Sequence, residues 1–204
     1  MNPAFHSIVV HVLTGALSIG AIAAVGLFAL RFSPLARLRH LSPALDLAAL
    51  WSIWVGTVVS VAGMGTGLAI HSVGASLNSP VLRNKTLAGL LLILTFALYL
   101  FLRHRFGATL WNNDLAAGGL AFLAIAGLHW NIVVNSIGGD VAGVPSGYET
   151  IVAWSGVDTR FTYYLPTWAL ITIVAISIAM LVVTVTDRES SSPSDDRADA
   201  PVGD

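Results

Sequence analysis

Five runs of apolar residues, near 6–31, 43–72, 80–102, 113–137 and 163–186, leave this chain few ways to fold. Each is long enough to cross a hydrocarbon layer about 30 Å thick, which takes roughly 20 helical residues. A water-facing surface needs charge, and soluble domains carry roughly 25% charged residues. Here the figure is 10%, with 55% hydrophobic residues and a mean hydropathy of +0.78. The charge that exists is segregated, since Asp187, Glu189, Asp195, Asp196, Asp199 and Asp204 all lie beyond the last apolar run. The expected fold class is therefore all-α: an integral membrane helical bundle of about five transmembrane helices, with the lipid bilayer as its first partner.

The expected organisation is a four-helix membrane core over 1–144, an external loop over 145–162, a fifth transmembrane helix over 163–187 and a disordered acidic tail over 188–204. The loop follows from its Gly-rich, short polar composition, and the tail from having too few apolar residues to fold. Ser42-Pro43 and Ser79-Pro80 read as an N-cap hydroxyl followed by proline at the first helical position, and Asn112 or Asn113 precedes Asp114 in the same way. Asp46 and Asp114 then fall in first turns, where negative charge meets the helix dipole; a proton relay is the alternative. Cytoplasmic loops are enriched in Lys and Arg. Under five spans, Arg31, Arg37, Arg39, Arg103, Arg105, Arg188 and Arg197 share one side, against Arg83, Lys85 and Arg160 on the other. The expectation is a multi-pass cell-membrane protein with its N-terminus outside and its C-terminus cytoplasmic. No Lys or Arg precedes the first run, so that helix is expected to be retained rather than cleaved as a signal peptide.

Several chemistries are set aside. The chain has no cysteine, which removes disulfides, thiolate ligation and thiol catalysis. A net charge of -1 without a large basic cluster argues against nucleic acid. No Walker, dinucleotide, HExxH or GxSxG motif gives a hydrolase or nucleotide reading a foothold. No motif therefore marks a self-contained enzyme.

What remains is histidine. His40 and His104 lie among arginines at the inner surface, whereas His6, His11, His71 and His129 fall toward the outer one. At 1.5 Å per residue, with helix 4 ending near 137, His129 lies roughly 12 Å below its helix end and is level with His11 if helices 1 and 4 are neighbours. A buried intramembrane histidine needs a partner: another helix in the bland case, a metal or haem in the sharper one. In AGMGTGLAIH, Gly63 and Gly67 lie beneath His71 on its face of helix 2. They suit close helix packing or, alternatively, a flat macrocycle. Arg83 and Lys85, in the first turn of helix 3, oppose the helix dipole and call for a negative partner, either lipid headgroups or haem propionates. Met64 is a packing residue or a soft metal ligand.

The run HSIVVH, with His6 and His11 at its ends, resembles the opening HPxxVHFP of the DUF2231 family of membrane proteins, and SIGGDVAGV, Ser136 to Val144, resembles that family's closing GGxLxxxxGxGV. The resemblance covers about residues 6–144. Ser7 stands where the family has its first proline, Val12 and Leu13 stand for Phe-Pro, and Lys85 lies near the place of the histidine that opens the third helix. Related domains are joined to Rieske-type iron–sulfur domains, so the resemblance implies membrane electron transfer or the anchoring of a redox partner.

These observations lead to a b-type-cytochrome-like expectation. A haem b in the outer leaflet is gripped by His11 and His129, with His71 as substitute for either, and Arg83 or Lys85 meets the propionates above Gly63 and Gly67. Electrons pass between a quinone and an external acceptor, a Rieske-type or other redox protein. The rival is a cofactor-free membrane anchor or assembly protein for such a partner. Copper handling through His6, His11, His71 and Met64 is a third reading, without the methionine-rich pattern expected for copper(I).

Overall fold

A computed structural model of the chain describes residues 3–32, 36–144, 154 and 167–190. Its elements are α1 (Pro3–Phe32), a 3₁₀ turn (Ala36–Leu41), α2 (Ser42–His71), the short α3 (Val73–Asn78), α4 (Pro80–Phe106), a second 3₁₀ turn (Gly107–Asn112), α5 (Asp114–Val141) and α6 (Thr167–Ser190). Among the described residues there is no strand, and four helical stretches are long and apolar enough to cross a membrane. The described part of the fifth expected run is helical as α6, with a shorter apolar stretch at Ile171–Met180. The expected external loop and tail lie almost wholly outside the described residues.

Helices α1, α2, α4 and α5 form a ring in which each packs on the next and α5 closes onto α1; α6 lies outside, against α4. The α1–α2 pair is the tightest because glycines on one helix receive side chains from the other. A Cβ on Gly56 would stand 2.5 Å from Leu17, and one on Gly20 would stand 2.6 Å from Ile53. Leu17 and Ile53 are each fully buried there. In lipid, where no hydrophobic drive acts between helices, close van der Waals approach of this kind is what would hold such a pair. On the far side of the ring Gly127 of α5 receives the ring of Phe96 of α4 in the same manner.

Polar groups fasten the end of the bundle where α2 begins. Asp46 accepts from Arg103 Nε at 2.9 Å and from Trp111 Nε1 at 2.7 Å, and pairs with the same guanidinium through its second oxygen. Arg31, closing α1, pairs with Asp114, opening α5. Both carboxylates thus have structural partners. Asn113 caps α5 by accepting from Ala116 N at 3.0 Å, and Ser79 caps α4 with Pro80 following. Ser42 departs from expectation. The preceding 3₁₀ turn runs directly into α2, so Leu41 occupies the cap position without a side-chain bond and Asp46 falls beyond the first turn.

The glycine contacts give a stability test. Gly56→Val and Gly127→Val are expected to destabilise the protein by about 1–3 kcal/mol, because the incoming atoms meet packed side chains. Gly15→Ala and Gly119→Ala, where a Cβ meets nothing within 4 Å, are expected to be neutral or to stabilise by about 0.5–1 kcal/mol. Titration of helicity with denaturing detergent measures both; equal effects at the two classes of site would contradict the packing described.

Candidate functional site

The end of the bundle opposite Asp46 is where α1 starts, α2 ends, α4 starts and α5 ends. There the four helices separate around a cavity of about 870 Å³. Among the described residues it is lined mostly by apolar groups, Leu13, Met64 and Leu92 among them, and its polar lining is His6, Ser7, His11, Ser60, His71, Ser76, Lys85, Thr86 and Asn135. No Asp or Glu lines it among the described residues.

His6 and Asn135 are each held by a hydrogen bond to a neighbouring helix, and His11 by one to its own. Thr66 Oγ1 donates to the Gly63 carbonyl at 2.9 Å, so its lone pair accepts from His6 Nδ1–H at 2.7 Å and His6 Nε2 is left as an acceptor. That ring lies over Gly67, where a built Cβ would make ordinary contact with His6 Cε1 at 3.4 Å. His6 lies within electrostatic reach of Lys85 and His71. Asn135 of α5 donates to Thr14 Oγ1 of α1 at 3.0 Å and to the Asn131 carbonyl at 2.7 Å. Lys85 Nζ reaches over Gly138, whose added Cβ would stand 3.3 Å from it. The residues α1 and α5 bring to the cavity thus face those of α2 and α4.

The expected site residues divide into two groups. His11, His71, Gly63, Gly67 and Lys85 border the cavity; His129 and Arg83 do not. His11 is exposed and its Nδ1 donates to the Ser7 carbonyl one turn back at 2.7 Å. Helices α1 and α5 are neighbours, as the His11 and His129 pairing requires, but their register separates the two rings. With Thr14 opposite Asn135, His11 lies three residues toward the cavity end and His129 six residues away from it, roughly 13–14 Å apart along the axis. His129 is exposed and stacks edge-on with Trp130. The level assigned from sequence placed the end of α5 at 137, whereas the helix continues to Val141.

Arg83 is 6% exposed and does not line the cavity. Its Nη1 donates to the Leu77 carbonyl at 2.9 Å, capping α3. Gly63 is covered by Leu13, with 2.9 Å from a built Cβ to Cδ2, and Gly67 by the His6 ring. A haem held by His11 and His129 above these glycines therefore does not fit the residues present: the ligands are apart and both glycine notches are filled. Met64 packs its methyl against Gly89. Among the described residues no group of three His, Asp or Glu side chains could hold a metal ion.

Sequence reading did not single out Thr66, Asn135 or Gly138. Thr66 and Asn135 are polar residues in apolar runs, which is itself a signal that each must find a partner on another helix. Gly138 sits in the Gly-Gly pair that carried the family resemblance, with no indication that a lysine lies over it. No protein-family model matches the chain, and neither curated proteins nor solved structures include a match to it.

The Arg83 assignment has a measurable consequence. Arg83→Met removes a hydrogen bond to a helix-terminal carbonyl and is expected to cost about 1–3 kcal/mol. His11→Gln, at an exposed ring bonded to its own helix, is expected to change stability by no more than about 0.5 kcal/mol. Detergent-unfolding midpoints check the pair, and an Arg83→Met protein as stable as the parent would contradict the capping role.

Proposed function

We propose that this chain is a multi-pass membrane protein that receives a small amphipathic molecule from the bilayer in the cavity at the end of its bundle. The observation that carries the reading is that cavity: about 870 Å³, mostly apolar, with hydrogen-bonding groups from α1, α2 and α4 gathered at it. Ligand sites are typically concave, roughly 300–1,000 Å³ in volume and mostly apolar, with few polar groups to fix orientation. His6 is held in one tautomer by Thr66, so the polar edge is organised before any ligand arrives.

The chain is read as a binding or anchoring subunit. Within the membrane electron-transfer role that the family resemblance implies, the ligand would be a quinone, whose carbonyls accept hydrogen bonds from His71 and Lys85. Haem is not part of this proposal, because His11 and His129 are at different levels.

Orientation follows the arginines. Arg31, Arg37, Arg39, Arg103 and Arg105 gather at the end away from the cavity, which supports an inward-facing arginine end and a cavity in the outer leaflet. The chain has no native cysteine, so single cysteines can report sides without background. Asn78→Cys is expected to react with a membrane-impermeant reagent from outside and Thr109→Cys only after permeabilisation; the reverse pattern would invert the assignment. For the ligand, native mass spectrometry of protein extracted in mild detergent is expected to show one retained amphiphile. A cavity-filling Gly89→Leu variant is expected to lose it. Parent protein with no retained amphiphile, and no uptake of added ubiquinone or fatty acid, would contradict the reading.

A further inference from the structure

Lys85 sits oddly in its surroundings. It is half-buried at an apolar cavity, six residues into α4, and makes no hydrogen bond or ion pair among the described residues. The two ion pairs of the described chain are both at the opposite end, on Asp46 and Asp114. Among the described residues, every titratable group that borders the cavity with Lys85 is a histidine: His6, His11 and His71. None of them can neutralise an ammonium, and each adds positive charge when protonated. Gly138, opposite, leaves room at the ammonium where any side chain would crowd it. A cation in an apolar setting is retained where it has an anionic partner, and the described chain supplies none.

We infer that the cavity takes a single-chain amphiphile with an oxyanion head, a carboxylate or phosphate, with Lys85 as its counter-cation and the chain lying along Leu13, Met64 and Leu92. This rests on the amphiphile reading of the same cavity and adds the chemistry of the head. Three donors on a flexible stem suit a carboxylate or phosphate as a point charge. The His6 ring, tethered by Thr66, flanks the head group from α1. A neutral quinone would leave the ammonium uncompensated, so the charge of the head is what separates the two ligands.

The test uses the full chain in phosphatidylcholine nanodiscs, with palmitate, hexadecanol and inorganic phosphate as probes. Charge-assisted bonds are roughly twice as strong as neutral ones, so palmitate is expected to bind about tenfold more tightly than hexadecanol. Lys85→Gln should abolish that preference while keeping hexadecanol affinity, and Lys85→Arg, which preserves the charge, should retain it. Hexadecanol binding by Lys85→Gln doubles as the check that the variant is folded. Equal affinity for the two chains in the parent protein, or a preference that survives Lys85→Gln, would overturn the inference and leave the amphiphile reading standing. Displacement of palmitate by millimolar inorganic phosphate would mark a free-anion site and overturn the requirement for a chain. Failure of both chains to bind the parent protein would overturn the amphiphile reading itself, and the head-group assignment with it.

Discussion

The contact on which the site depends is the seating of Leu17 against Gly56 and of Ile53 against Gly20. These two notches fix the register of α1 against α2, and the partners then advance one for one along the antiparallel pair until His6 meets Thr66 and Gly67. A slip by one residue would rotate His6 by about 100° and take it off Thr66. Packing far from the cavity therefore sets the orientation of the ring at its edge. Leu13 over Gly63 lies between the two, so the glycines of α2 serve helix packing along most of their length.

The two ends of the bundle manage polarity differently. At the arginine end, Asp46 and Asp114 are each matched by a guanidinium, and the Asp46 cluster draws α2, α4 and the second 3₁₀ turn together. At the cavity end His6 bonds Thr66 and Asn135 bonds Thr14, and the Arg83 guanidinium donates to the Leu77 carbonyl. Lys85 is outside that pattern. The proposal of an acidic amphiphile treats it as the half of an ion pair whose other half comes from the bilayer.

Much of the helical layout was legible from length and composition, since apolar runs of lipid-spanning length admit little besides helices. The caps at Ser79 and Asn113 were legible from residue type, whereas the adjacency of α1 and α5 entered only as a condition for pairing His11 with His129. Registers between helices were not legible. They depend on which glycine receives which side chain, and a sequence rich in glycine offers many choices. His129 was placed level with His11 partly because α5 was taken to end at 137 rather than at Val141, and Arg83 was read with its neighbour Lys85, which does reach the cavity, although it donates to the α3 carbonyl. Two residues along a helix turn a side chain by about 200°, so adjacent cations in a sequence run are poor guides to a common role. The short α3 between two long helices was likewise unmarked, since its capping Ser72, at φ 61°, is not a residue that announces a left-handed turn.

The central claim is that the cavity between α1, α2, α4 and α5 holds a molecule drawn from the bilayer. An electron cryomicroscopy map of the full chain in native-lipid nanodiscs tests it most directly. The predicted result is one elongated density along Leu13, Met64 and Leu92, with its broader end at Lys85. A cavity closed by approach of α5 to α2, or one containing only isolated water-sized features, would contradict the claim.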